Sequence, residues 1–306
     1  MNGTEAKIEI FKPFGEAFEL MKKILFQPFN LGKWCVIGFA AFLTGHFAGG
    51  GFNFPTRFGN FQPNRANQNI NIPEDWKPWM PFVIAGLGLF VFIFIIVIMW
   101  LRSRGTFIFT DCIVRNRGAI AEPWREYRKE GNSYFLFALA IGFGAIVVFG
   151  LIGLGIFGVL VAISRTSGLP TTPAAAIFFV LLFIAWICIA IFFGVVSYFM
   201  APVMYIHRCR AVDAFRRVGR LIWHNLGVFV LFCLFSIVLL LAMIVIGGIV
   251  TCATCCLAAL PYVGTVVLLP VFVCLRSFGL LFIRQFGPDY DVWATLPQPK
   301  APPLPA

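Results

Sequence analysis

Long runs of apolar residues, broken by short basic segments, organise this chain from residue 31 onward. Six runs predict membrane-spanning helices, over 31–49, 79–101, 134–163, 174–200, 226–250 and 258–275. A bilayer core requires about 20 apolar residues in helical conformation. Five of the runs meet that length or come close to it. The first is shorter, yet is uncharged after Lys33 and reaches about 28 Å at the helical rise. The expectation is an all-α polytopic transmembrane helical bundle, with residues 1–296 forming one membrane domain. The Pro-rich tail PQPKAPPLPA, 297–306 at its core, predicts an extended, disordered end. The opening MNGTEAKIEIFKPFGEAF is too polar for the apolar centre of a cleaved signal peptide.

Between the runs the pattern repeats. AFELMKKILFQPFNLGKW begins at Ala17 and AFRRVGRLIWHNLGVF at Ala214, and PWREYRKEGNSYFLF from Pro123 is a looser middle copy. Each copy places an Asn (Asn30, Asn132, Asn225) where a span begins, the position of a helix N-cap. The exits match too: WLRSRGTFIF at 100–109 and CLRSFGLLFI at 274–283. A threefold repeat of interfacial helix, span, outer loop and span follows from this. In 13–27, Phe14, Phe18, Met21 and Leu25 share a face opposite charged positions, and 103–118 and 211–223 read alike. Such helices lie in the headgroup plane or pack against the bundle.

Composition adds sidedness. Hydrophobic residues make up 60% and charged residues 12% of the 306, where soluble domains carry about a quarter charged. Of the 24 Lys and Arg, 20 fall before span one (Lys33 at its start included), between two and three, between four and five, and after six. Only 4 fall in the other connections. The positive-inside bias predicts a multi-pass protein with both termini in the cytoplasm. Seven of the eight Trp lie near span ends, where amphipathic rings settle at the headgroups. The net charge of +11 follows from this bias. It predicts anionic lipid headgroups as partners rather than nucleic acid, and leaves room for an unknown protein partner.

Candidate chemistry is sparse. All 13 Asp and Glu lie outside the predicted spans, which argues against proton-coupled transport through midplane carboxylates. No hydrolase, zinc-protease, P-loop or dinucleotide motif occurs, so no enzyme activity and no cofactor are expected. Gly142, Gly150 and Gly158 recur every eight residues in the third run, a pattern that lets helices approach closely. TCATCC at 251–256 has three readings. Its cysteines are small packing residues, or a disulfide, or, as Cys252, Cys255 and Cys256 with His46, a Cys3His zinc set. Arg102, Arg104, Arg115, Arg117, Arg125, Arg128 and Lys129 crowd one cytoplasmic segment, where Arg forks suit phosphate oxygens. Arg102, Arg104, Arg125 and Arg128 are its candidate headgroup contacts.

FQPFNLGKW (26–34), WLRSRGTFIFTD (100–111), EPWREYRKEGNSYF (122–135) and LPVFVCLRSFGLLFIRQFGPDYDVW (269–293) together resemble an uncharacterised family of bacterial six-span membrane proteins. That family is similar to the membrane domain attached to some glycerophosphodiester phosphodiesterases. The catalytic acids and histidines of that enzyme have no counterpart here, so the resemblance implies a fold and no activity. The function expected is a non-enzymatic membrane module that binds lipid or scaffolds a partner. Alternatives are a transport component moving a lipid or small solute, and an outer-face metal or redox site at Cys252, Cys255 and Cys256.

Overall fold

A computed structural model describes residues 9–45, 79–167, 172–254 and 260–294. They form α1 (Phe11–Leu25), α2 (Leu31–Leu43), α3 (Met80–Val114), α4 (Ala121–Glu126), α5 (Arg128–Ser167) and α6 (Thr172–His207). After these come α7 (Ala211–His224), α8 (Leu226–Ala253), α9 (Pro261–Val267), α10 (Leu269–Arg284) and a 3-10 turn at Pro288–Tyr290. No β-strand occurs among the described residues.

Four helices, α3, α5, α6 and α8, are long and apolar enough to cross a membrane. Consecutive large side chains of α3, Phe82, Val83 and Ile84, are all more than 60% exposed. The most apolar eighteen-residue windows of α3 and α5 bury nothing. A bare apolar cylinder of this kind is untenable in water and ordinary in hydrocarbon, where lipid tails cover it. This is the signature of a multi-pass membrane protein. The other two predicted spans come out differently. The described part of 31–49 contains the 13-residue α2. The run 258–275 divides at Leu268 into α9 and α10. Pro270 sits in the first turn of α10, where its missing N–H costs nothing but no helix can continue unbroken through it.

By chain contacts the protein divides into two compact units, interleaved in sequence. One comprises Met1–Leu20, Glu126–Leu239 and Leu275–Ala306. In it α7 packs on α5 and α6, and the Ser133 hydroxyl accepts from the Ala211 N–H at 3.0 Å. Phe199, Phe229, Phe232, Phe278 and Phe282 form a buried ring cluster. Phe232 lies 4.5 Å from Phe282, 5.1 Å from Phe199 and 5.2 Å from Phe278, centroid to centroid. Each such pair adds about 0.5–1.5 kcal/mol beyond its buried area.

The second unit comprises Met21–Arg125 and Leu240–Cys274. Here α2 packs on α3 and α9. The Trp34 indole donates to the Val266 carbonyl at 2.8 Å, and the Tyr262 hydroxyl to the Cys35 carbonyl at 3.2 Å. At 35 residues α3 is about 52 Å long, well beyond a hydrocarbon core of about 30 Å. Its excess is the packed stretch from Ser103 to Val114, buried except at Thr106. An interfacial helix was expected over 103–118, yet α3 runs straight through to Val114. Its Ser103, Thr106 and Thr110 hydroxyls bond back to the carbonyls four residues earlier, so no polar group interrupts the ladder.

The repeat's landmarks divide. Asn30 caps α2, its side chain accepting from the Lys33 N–H at 3.1 Å. Asn132 lies inside α5, which begins a turn earlier at Arg128. Asn225 closes α7 instead, its amide donating to the Leu221 carbonyl at 3.0 Å. Along α1 the buried side chains are Pro13, Ala17, Met21, Ile24 and Leu25, while Phe18 is exposed. Gly142, Gly150 and Gly158 approach nothing, because α5 is bare at those positions.

Candidate anion-binding site

The basic segment expected to meet headgroups is partly engaged within the protein. Helix α3 ends in a Schellman turn: the Arg117 N–H reaches the Cys112 carbonyl at 3.2 Å and Asn116 takes a positive φ of 51°, a conformation Asn tolerates. That reversal returns Arg117 to Asp111 at 3.0 Å and Arg115 lies 3.1 Å from the same fully buried carboxylate. Arg117 also donates to Glu122 at 2.6 Å. Burial opposes the Arg117 charge, and the hydrogen bonds it donates to Glu122 and Asp111 outweigh that, raising its pKa above the usual arginine value.

Arg104, one of the four candidate headgroup contacts, is buried. Its guanidinium lies 4.6 Å from the centre of the Trp100 ring and 5.0 Å from that of Trp124, a cation–π arrangement that removes it from the surface. Arg102 and Arg125 in the same unit are exposed, as are Arg128 and Lys129 in the other. None of these four has a carboxylate within ion-pair distance among the described residues.

Of the proposed zinc set, Cys252 is an exposed free thiol near the end of α8. Cys255, Cys256 and His46 lie outside the described residues. Among the described residues no group of three His, Cys, Asp or Glu is arranged to hold a metal.

A constellation absent from the sequence reading lies in the first unit. Helix α7 buries Ala211, Ala214, Val218 and Ile222 and leaves Arg216, Arg217, Arg220 and His224 exposed on its other faces. Arg217, Arg220 and His224 follow at i, i+3 and i+7, one stripe of a helix. With His207 at the end of α6 and Asp289 and Tyr290 of the 3-10 turn, they line a cavity of about 520 Å³. The His207 Nε2 donates to the Asp289 carbonyl at 3.0 Å, and the His224 Nδ1 to the Arg220 carbonyl at 2.9 Å. Neither Arg217 nor Arg220 has a carboxylate within ion-pair distance among the described residues. Burial pushes the Tyr290 hydroxyl up, the Asp289 carboxylate adds to this, and Arg217 and Arg220 pull it back. Both arginines line the same cavity.

Other acids of the same unit lie beside other arginines, while Asp213, one turn before Arg217 on α7, is exposed. Arg208 pairs with Glu126, lies 3.7 Å from Glu130, and stacks 3.8 Å over Tyr127. Arg284 holds Asp291 at 3.1 Å. A smaller cavity of about 360 Å³ beside Glu9, Lys12, Glu16 and Arg284 mixes both signs, and favours no ligand charge.

A family model described as a family of unknown function (DUF7544) matches residues 9–292. No curated protein and no solved structure matches the chain.

Proposed function

The chain belongs to the DUF7544 family, a membership that brings no activity with it, and we propose that it is a non-enzymatic membrane module that gathers anionic lipid at its cytoplasmic face. In this reading all six apolar runs reach into the bilayer of a bacterial inner membrane, arranged as three repeated hairpins, with both termini inside. One observation supports it above the others: some basic residues are held within the protein and others stand exposed without a carboxylate. Arg115, Arg117, Arg208 and Arg284 are held by carboxylates of the protein. Arg102, Arg125, Arg128 and Lys129 are exposed and have no such partner among the described residues. Cations of the second kind attract anionic headgroups with about 1 kcal/mol each at a membrane surface.

The test is lipid retention. Protein extracted from mixed anionic and zwitterionic bilayers should carry anionic lipid above its bulk fraction, measured by mass spectrometry. Arg102→Gln/Arg125→Gln/Arg128→Gln should lower that enrichment at least twofold, and more steeply at low salt. Unchanged retention in the triple variant would remove the lipid reading. A carrier of lipid or solute is the second reading, and the polar cavity beside α7 favours it. Flux into reconstituted vesicles would support it.

A further inference from the structure

The cavity beside α7 has a more specific chemistry than a basic surface. Arg217 and Arg220 project from successive turns of α7 into one space of about 520 Å³. A guanidinium presents paired N–H donors whose spacing matches two oxygens of one phosphate. Two of them, three residues apart on a helix, can hold one tetrahedral anion from adjacent sides. His207 and His224 each have one ring nitrogen engaged by a backbone carbonyl, which leaves the other nitrogen of each ring available at the wall. Tyr290 also lines the space. Asp289 is the single carboxylate of the lining. Two arginines outnumber it, and its own carbonyl holds His207 in place. A divalent metal is a poorer occupant, since the imidazoles and the carboxylate do not converge as ligands and two guanidinium charges repel a cation.

We propose that Arg217, Arg220, His207, His224 and Tyr290 form a binding site for a phosphate monoester, carried either by a lipid headgroup or by a small soluble molecule. The site goes beyond the general attraction of the basic face and uses none of the residues that carry it. Both guanidiniums make charge-assisted hydrogen bonds to the anion, while the imidazoles and the tyrosine set its orientation. Loss of either arginine removes one half of the clamp without disturbing the buried face of α7, which consists of Ala211, Ala214, Val218 and Ile222.

The experiment is calorimetric titration of the detergent-purified full chain with inorganic phosphate, with dihexanoyl phosphatidate and with dihexanoyl phosphatidylcholine. Saturable binding of phosphate or phosphatidate, and not of phosphatidylcholine, is the expected result. Arg217→Gln and Arg220→Gln should each weaken it about tenfold, the loss of one charge-assisted contact. Arg216→Gln, on the same helix and outside the cavity lining, should bind like the parent. Binding of both probes assigns the phosphate group itself; binding of phosphatidate alone assigns the lipid headgroup. Absence of saturable binding to both phosphate and phosphatidate overturns the proposal, and so does an equal loss in Arg216→Gln. The Arg102→Gln/Arg125→Gln/Arg128→Gln variant should titrate normally, so failure of this site and failure of the lipid-gathering reading are separable.

Discussion

Two glycines show how closely single residues are constrained. A Cβ added at Gly105 would lie 2.6 Å from the Leu43 Cβ and 2.7 Å from its carbonyl carbon. One added at Gly279 would enter the Tyr198 ring, which cannot withdraw freely because its hydroxyl donates to the Leu275 carbonyl at 3.0 Å. Both glycines end the shared Leu-Arg-Ser-x-Gly signature, and Ser103 and Ser277 are buried alike. The Leu-Arg-Ser-x-Gly likeness of the two segments thus coincides with tight packing at both glycines. The arginines of the same signature part company: Arg276 is buried against Tyr198 at 5.1 Å, whereas Arg102 is exposed. Gly105→Ala should cost about 1–3 kcal/mol, as overpacking does, and lower the thermal midpoint of the detergent-solubilised protein. Gly142→Ala, with nothing within 4 Å, should leave it unchanged or raise it, since Ala favours helix by up to about 1 kcal/mol over Gly.

At the scale of elements, period and length in the sequence predicted the four long apolar helices, and Asn30 marked the start of α2. Ends were harder to read. Nothing near Asn132 prevents α5 from starting at Arg128, and the residues after Arg102 continue α3 because their hydroxyls find carbonyls in the same helix. The anion site was hidden for a different reason. Its residues come from 207, 217–224 and 289–290, and the spacing between those segments shows nothing until α6, α7 and the 3-10 turn meet. Its charges also looked like ordinary anchoring. What fixes that site is the seating of α7, and Ile222, 3% exposed, is a main anchor. Ile222→Ala should cost about 2–5 kcal/mol and expose α7 to limited proteolysis. Trp223→Ala, at a neighbouring position 70% exposed, should do neither.

For the whole molecule, the proposed topology puts the basic connections and the cavity beside α7 on the cytoplasmic side, with the far end of α8 on the opposite side. The 20-to-4 split of Lys and Arg carries it through the positive-inside bias. Two native thiols report on it directly. Cys209 lies between α6 and α7, half-buried, and Cys252 is exposed at the end of α8. Burial raises the Cys209 pKa, with Arg217 pulling it back, so its labelling should be slower than that of a free surface thiol and is read against a permeabilised control. The decisive measurement is maleimide labelling of intact cells with an impermeant reagent, on variants retaining only Cys209 or only Cys252. Labelling of Cys252 from outside, with Cys209 modified only after permeabilisation, is the result this account predicts. Cys209 labelled in intact cells, with Cys252 protected until permeabilisation, would contradict it.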